Sequence, residues 1–259
     1  MKINSPQFNL MYRACMKASK VLIRDFGEVE KLQISEKGPG DFVTASDKRV
    51  EKIIINELSN SGYSILSEEK GIIKGKNEKK RWIIDPIDGT TNFLNGVPHF
   101  AISIGFEDNG EIVSGIVFDP IKNEMFFAEK GLGAYLNNSR IRVSNKSDLK
   151  NSLIATGGPR YSSKQKEKIM REYEKVAKQI MPAIRKFGSA ALDLAYVASG
   201  RLDGYWQRDL HYWDIAGGII LIKESGGYIN KIDKSEFGES KNDIVATNSK
   251  IHKELSDLL

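Results

Sequence analysis

One stretch constrains this chain more than any other: Trp82-Ile83-Ile84-Asp85-Pro86-Ile87-Asp88-Gly89-Thr90-Thr91-Asn92-Phe93. An apolar run delivers Asp85 and Asp88 into a turn that opens onto Gly89-Thr90-Thr91. The pattern predicts the end of a buried strand carrying metal ligands, followed by a phosphate-holding turn. Pro86 has a fixed φ, so Asp85, the Ile87 carbonyl and Asp88 can face one locus. Gly89 lacks a Cβ and permits close backbone approach by a ligand. If Thr90 begins a helical turn, its free N–H groups and dipole suit a phosphate. A capped strand-to-helix turn without any ligand satisfies the same letters, and the stretch alone leaves both readings open.

Other motifs for handling phosphate or metal are missing. Six places after Cys15 stands Val21, so the Cys-x5-Arg phosphatase pattern fails. Asp85 and Asp88 are separated by two residues, which excludes the aspartyl-nucleophile pattern Asp-x-Asp-x-Thr. There is no Walker loop and no His-Glu-x-x-His. Gly131-Leu132-Gly133 hints at a dinucleotide loop, but Leu136 occupies the third glycine position. His99, His211 and His252 are scattered and bring no imidazole cluster for zinc. Carboxylates and carbonyls without thiolate or imidazole favour Mg²⁺, Mn²⁺ or Ca²⁺.

Around this stretch the periodicities alternate. Ser5-Pro6 reads as an N-cap with proline at the first helical position. Leu10, Met11, Ala14, Cys15, Ala18, Val21 and Leu22 then recur at helical spacing up to Gly27. Cys15 lies on that apolar stripe and belongs in the core. Residues 29–35 alternate as a strand, and 36–41 read as a mobile loop. Thr44-Ala45-Ser46-Asp47 starts a second helix with Val50, Ile53, Ile54 and Leu58 on its buried face. An acid at that place is ordinarily a cap or dipole partner. A strand at 63–66 delivers Ser67-Glu68-Glu69, where paired glutamates are ordinarily surface residues. Strands at 100–106, 111–118 and 124–128 form an antiparallel meander with a turn at Asp108-Asn109-Gly110. Past a polar segment at 145–151, strands at 152–156, 183–187 and 203–206 alternate with helices at 164–180, 188–200 and 215–224.

A chain of 259 residues buries about 70–75% of its unfolded surface and needs no disulfide staples. The polar segment suggests an α+β part over 1–148 and an α/β part over 149–259, one catalytic unit with the site between them. The charge of +5 is spread along the chain, which reads as a solvated mixed surface; a nucleic-acid footprint is unsupported. A single cysteine fits a reducing compartment. With no signal-peptide pattern and no run near the ~18 apolar residues of a membrane span, a cytoplasmic protein is expected.

Residues 82–93, taken with Asp214 in Trp213-Asp214-Ile215-Ala216-Gly217, resemble the paired signature of the inositol monophosphatase family. The resemblance extends through Val43-Thr44-Ala45-Ser46-Asp47, Ser67-Glu68-Glu69 and Gly188-Ser189-Ala190, in the family's order and spacing over most of the chain. It implies a mixed α/β (α+β) fold, the layered αβαβα sandwich of the inositol monophosphatase and fructose-1,6-bisphosphatase type. It also implies a homodimer with Mg²⁺-dependent, lithium-sensitive phosphomonoesterase activity.

By the same resemblance Glu68, Asp85 and the Ile87 carbonyl would hold one metal, and Asp85, Asp88 and Asp214 a second. Glu68 and Asp47 would bound a weaker third site. Thr90 with Asp47 or Glu68 would orient the attacking water, and the backbone of Gly89, Thr90 and Thr91 would hold the phosphate. Arg185, Gly188, Ser189, Ala190, Gln207 and Asp214 fall on the substrate side. The implied reaction is in-line attack of water on phosphorus between metals about 3.5–4 Å apart, with no covalent enzyme intermediate. Two carboxylates about 4 Å apart repel by roughly 4 kcal/mol at an effective dielectric near 20. The acids therefore converge only if cations compensate or some are protonated, which predicts a loose site without metal and a higher melting temperature with Mg²⁺.

Gln207 stands where the family often places a Glu that touches inositol hydroxyls; its amide lacks the charge and can donate as well as accept. Gly217 replaces the usual Ala at a helical cost of about 1 kcal/mol. Arg185 resembles an arginine of the bacterial branch, and substrate contact or an ordinary surface ion pair both fit it. Tyr205, Trp206, Tyr212 and Trp213 either wall the pocket or pack in the core. The default substrate is inositol 1-phosphate. Histidinol phosphate, a nucleotide 3′-phosphate or a sugar phosphate suits the same metals. Some bacterial relatives, the extragenic suppressor proteins, also leave open a regulatory role toward transcription or ribosome assembly.

Overall fold

Stripes of apolar residues on both faces of a large sheet organise the chain. The computed structural model describes residues 5–28, 34–38, 41–158 and 163–259. Helix α1 (Pro6–Phe26) begins where the sequence places it: the Ser5 hydroxyl accepts the Phe8 N–H at 3.0 Å, with Pro6 at the first helical position. Its stripe of Phe8, Met11, Ala14, Cys15, Ala18 and Leu22 packs with Val50, Ile54 and Leu58 of α2 (Ala45–Leu58). Burial pushes the Cys15 thiol far up, as suits a core residue.

The residues expected to form a loop at 36–41 instead contribute to a hairpin, β1 (Ile34–Gly38) against β2 (Asp41–Thr44). Pro39 and Gly40 of that stretch lie outside the described residues. Most of the strand expected at 29–35 lies outside the described residues. Next come β3 (Tyr63–Ser67), β4 (Gly71–Ile73), β5 (Asn77–Asp88), β6 (Ala101–Asp108), β7 (Glu111–Asp119), β8 (Glu124–Glu129), β9 (Gly133–Leu136) and β10 (Ser139–Ile141). They form one sheet in the order β10-β9-β8-β7-β6-β5-β3-β4. The β6–β8 meander matches its expected strands, and its first turn has Asn109 and Gly110 at φ 52° and 81°, as a tight hairpin requires. Alternation divides the sheet cleanly: Trp82, Ile84, Ile116, Phe118 and Phe127 face α1 and α2, while Ile83, Val117, Phe126 and Ala128 face the other way.

On that other face lie α5 (Ala190–Ala198) and α6 (Tyr212–Glu224). Every residue of α5 is buried, because these helices are covered on both sides. Their second cover is a four-stranded sheet of β11 (Ile154–Thr156), β12 (Gly204–Leu210), β14 (Asn242–Thr247) and β13 (Tyr228–Lys231). Beyond it, α4 (Lys166–Gln179) and α7 (His252–Ser256) pack Val176 and Leu255 onto Ile154, Trp206 and Val245. The result is the five-layer αβαβα order. No helix among the described residues is long and apolar enough to cross a membrane.

Gly217 finds its reason in this packing. A Cβ there would lie 2.8 Å from Ser103 Oγ and 2.9 Å from the Ile116 carbonyl, so α6 rides closer to β6 and β7 than alanine permits. The strand expected at 183–187 is reduced to a single parallel bridge, Ala155 to Arg185. Ile184 and Phe187 are spaced three apart and do not offer one face of a strand to the core, so the segment pairs only through the Arg185 backbone.

Candidate active site

Residues three apart on a regular strand point to opposite faces. Asp85 and Asp88 escape this because Asp85 pairs with Ser103 and Asp88 with Ala101, three steps on β5 against two on β6. The extra residue is a bulge, and Pro86, which has no N–H to give the ladder, sits in it. The strand therefore continues to Asp88; the expected turn at Pro86 is a bulge inside it. Asp214 reaches the same place from the first turn of α6, where its Oδ2 accepts the His211 N–H at 2.8 Å. Asp85, Asp88 and Asp214 are all buried and offer carboxylate oxygens within 4.8 Å of one another.

Two further acids flank this group. Asp47 is buried in the first turn of α2, and the Thr90 hydroxyl lies 3.5 Å from its Oδ1 and 3.0 Å from the Ile87 carbonyl oxygen. Glu68 follows β3, with its backbone N–H donating to the Ile84 carbonyl at 3.2 Å. The electrostatics ties all five together. Burial, then the charges of Glu68, Asp88, Asp214 and Asp47, hold the Asp85 carboxyl well above the usual range. Burial and Asp214 push Asp88 up to about 7, against the lowering effect of hydrogen bonds from Ser189, Ala191 and Ala190.

The opposite wall comes from two glycine-dependent turns. Gly89, at φ 99°, precedes α3 (Thr90–Leu94), and a Cβ on it would meet the His99 and Gly188 carbonyl oxygens at 3.1 and 3.3 Å. Gly188, at φ 86°, precedes Ser189, the N-cap of α5, whose hydroxyl donates to Asp88 Oδ2. The Ala191 N–H donates to the same oxygen at 2.8 Å. Asn92 clasps the turns together, its Nδ2 donating to the His99 and Phe187 carbonyls at 2.8 and 2.7 Å.

The remaining positions from the sequence divide. Tyr205, Trp206 and Tyr212 are core residues. Trp213 is half-buried and stacks on His211 at 4.4 Å. Thr91 and Arg185 are exposed, and the Arg185 guanidinium donates to the Ala183 carbonyl at 2.7 Å. Gln207 is half-buried; its Oε1 accepts the Tyr205 hydroxyl, and it fills the space a Cβ on Gly157 would take. Sequence reasoning passed over three side chains that shape the site: Asn92, the buried Glu51 of α2, and Asp193 of α5. Asp193 is buried with Oδ1 lacking a hydrogen-bond partner among the described residues, and burial and Asp88 raise its carboxyl well above the usual range.

The donor set is oxygen throughout, and the leading influences on Asp85 are burial and other acids. Such a group suits a hard divalent cation, which removes both the repulsion and the proton. A sequence profile of the inositol monophosphatase family matches residues 4–258. The chain belongs to the inositol monophosphatase family. It is 44% identical over 253 residues to the inositol-1-monophosphatase of Mesorhizobium japonicum, covering 97% of this chain and 95% of that one. It is 37% identical over 264 residues to the Nus factor SuhB of Escherichia coli, covering 98% of each. The crystal structure of extragenic suppressor protein suhB from Bartonella henselae superposes with a TM-score of 0.93 at 43% identity, covering 98% of both chains. As a member of the inositol monophosphatase family the protein is a phosphoric monoester hydrolase. Metal dependence belongs to that family, and the buried acid cluster fits it.

Proposed function

We propose that this phosphatase hydrolyses a small alcohol phosphate, inositol 1-phosphate first among candidates, with Mg²⁺ held by the acid cluster. The observation that carries the reading is the convergence of Asp85, Asp88 and Asp214, three buried carboxylates whose charges burial alone would not tolerate. Glu68, Asp85 and the Ile87 carbonyl would hold one Mg²⁺, Asp85, Asp88 and Asp214 a second, and Glu68 with Asp47 would bound a weaker third site. When bound, the cations supply Lewis-acid stabilisation of charge on the phosphate and on the nucleophile and leaving oxygens.

The chain's own residues do the rest. The Thr90 hydroxyl spends its proton on the Ile87 carbonyl at 3.0 Å, so its lone pairs are left to accept from water. Asp47, at 3.5 Å from the same hydroxyl, or Glu68 would orient that water together with Thr90. Gly89 lets phosphate oxygens approach the backbone of Thr90 and Thr91 at the start of α3. Gly188, Ser189 and Ala190 form the facing wall, and Gln207 and Arg185 meet the alcohol.

The inositol-1-monophosphatase name of close relatives supports the substrate. A phosphate-release panel tests it: inositol 1-phosphate, histidinol phosphate, a 3′-nucleotide and a sugar phosphate, each with Mg²⁺, EDTA and Li⁺. The highest kcat/KM is expected on inositol 1-phosphate, with loss of activity in EDTA and inhibition by Li⁺. Faster turnover of any other member reassigns the substrate.

A further inference from the structure

We propose that Glu51 is a positioning residue for the metal site, acting through Glu68. Glu51 lies one turn after Asp47 on α2 and is only 1% exposed. Its Oε1 accepts the Ser67 hydroxyl at 2.5 Å, the Glu69 N–H at 3.1 Å and the Lys70 N–H at 3.0 Å. These donors come from the residue before Glu68 and the two after it. The N–H of Glu68 itself is held by the Ile84 carbonyl of β5 at 3.2 Å. The turn that carries Glu68 is thus fixed on one side by a buried carboxylate and on the other by the strand that carries Asp85. One helix also supplies Asp47 and Glu51, so the same contact ties the two outer acids to each other.

Such charge-assisted bonds are the strong ones. Removing their acceptor leaves a hydroxyl and two backbone N–H groups in want of partners. The turn then relaxes, and Glu68 no longer has one place beside Asp85. Residues that orient a metal ligand from behind change metal affinity by about 10–100-fold. The inference rests on the proposed role of Glu68 in holding Mg²⁺.

The test is a calorimetric Mg²⁺ titration of wild type, Glu51→Gln, Glu51→Ala, Glu68→Gln and the double variant Glu51→Ala/Glu68→Gln. Melting of each without Mg²⁺ reports the purely structural cost. Glu51→Ala is expected to weaken Mg²⁺ binding by about ten-fold or more. Glu51→Gln, which keeps an acceptor oxygen, should fall between it and wild type. On the Glu68→Gln background, Glu51→Ala should cost no further affinity, because the residue it positions is gone. Wild-type affinity in Glu51→Ala, or a loss that adds in full to that of Glu68→Gln, overturns the proposal. Should Glu51→Ala fail to fold, Glu51→Gln alone and combined with Glu68→Gln carries the same comparison. A wild-type protein that binds no Mg²⁺ overturns the metal reading itself, which a failure at Glu51 alone leaves standing.

Discussion

The hydroxyl of Ser189 donates to Oδ2 of Asp88 across 101 positions of sequence, joining the N-cap of α5 to the bulged end of β5. It is one of the few groups lowering a carboxyl that burial and Asp214 push up to about 7. Ser189→Ala should therefore raise Asp88 further, and protons should compete harder with Mg²⁺. The loss of Mg²⁺ affinity is expected to be larger at about pH 6 than at about pH 8. Removing the cap also costs about 1 kcal/mol of stability at any pH. Titrations at both pH values check this; an equal loss at both would leave only the capping role.

The raised acids also set the pH dependence of the metal-free protein. Asp88 moves from an ordinary 3.8 to about 7, and Asp85 moves the same way. Between those values the folded chain binds more protons than the unfolded one, so stability falls as pH rises. Their contribution is fully present below 3.8 and lost as pH passes about 7. Urea midpoints in EDTA should drop over that window, and saturating Mg²⁺ should flatten the drop. Asp88→Asn, with one titrating group fewer, should show a shallower slope; a stability that rises through the window contradicts the assignment.

Gly217 reverses a rule of helix propensity. In an exposed helix Gly→Ala stabilises by about 1 kcal/mol. Here the added methyl would sit 2.8 Å from Ser103 Oγ and 2.9 Å from a backbone carbonyl. Overpacking of this kind costs about 1–3 kcal/mol. Gly217→Ala should lower the urea midpoint without changing m, and a raised midpoint would contradict the packing account.

Much of this was legible in the letters. The cap and stripe of α1 and the meander follow from local spacing, whereas α6 starts at Tyr212, ahead of the expected Ile215, and so takes Asp214 into its first turn. The structure brings Asp85, Asp88 and Asp214 to one place. The bulge that makes this possible was not legible, because register is a property of two strands and Asp85 with Ser103 is not a pairing one strand reveals. Glu51 did leave a signal: it lies four after Asp47, among Val50, Ile54, Ile55 and Leu58, which are buried and apolar. A charged residue among such neighbours marks a buried partner, but the partner is a turn after the next strand. Residues 183–187 carry Ile184 and Phe187 three apart, a spacing that serves no single face of a sheet, so only the Arg185 backbone pairs.

Asn92 offers a test of the wall opposite the acids. Its Nδ2 donates to two carbonyls, of His99 and Phe187, and neither can donate in return. Asn92→Asp keeps the shape but turns an acceptor onto them. It should destabilise by about 1–3 kcal/mol in thermal or urea unfolding. An unchanged midpoint would show that the clasp is dispensable.

On the proposed reading the Asp85–Asp88–Asp214 cluster is the metal-dependent catalytic centre, so phosphate release should collapse in Asp88→Asn. An asparagine oxygen can still accept the Ser189 hydroxyl and the Ala191 N–H, so the fold should survive. With saturating Mg²⁺ and inositol 1-phosphate, wild type should release phosphate and lose that activity in EDTA. Asp88→Asn should lose turnover by more than about 100-fold, while its metal-free melting temperature holds or rises. Wild-type turnover from a folded Asp88→Asn protein would contradict the account.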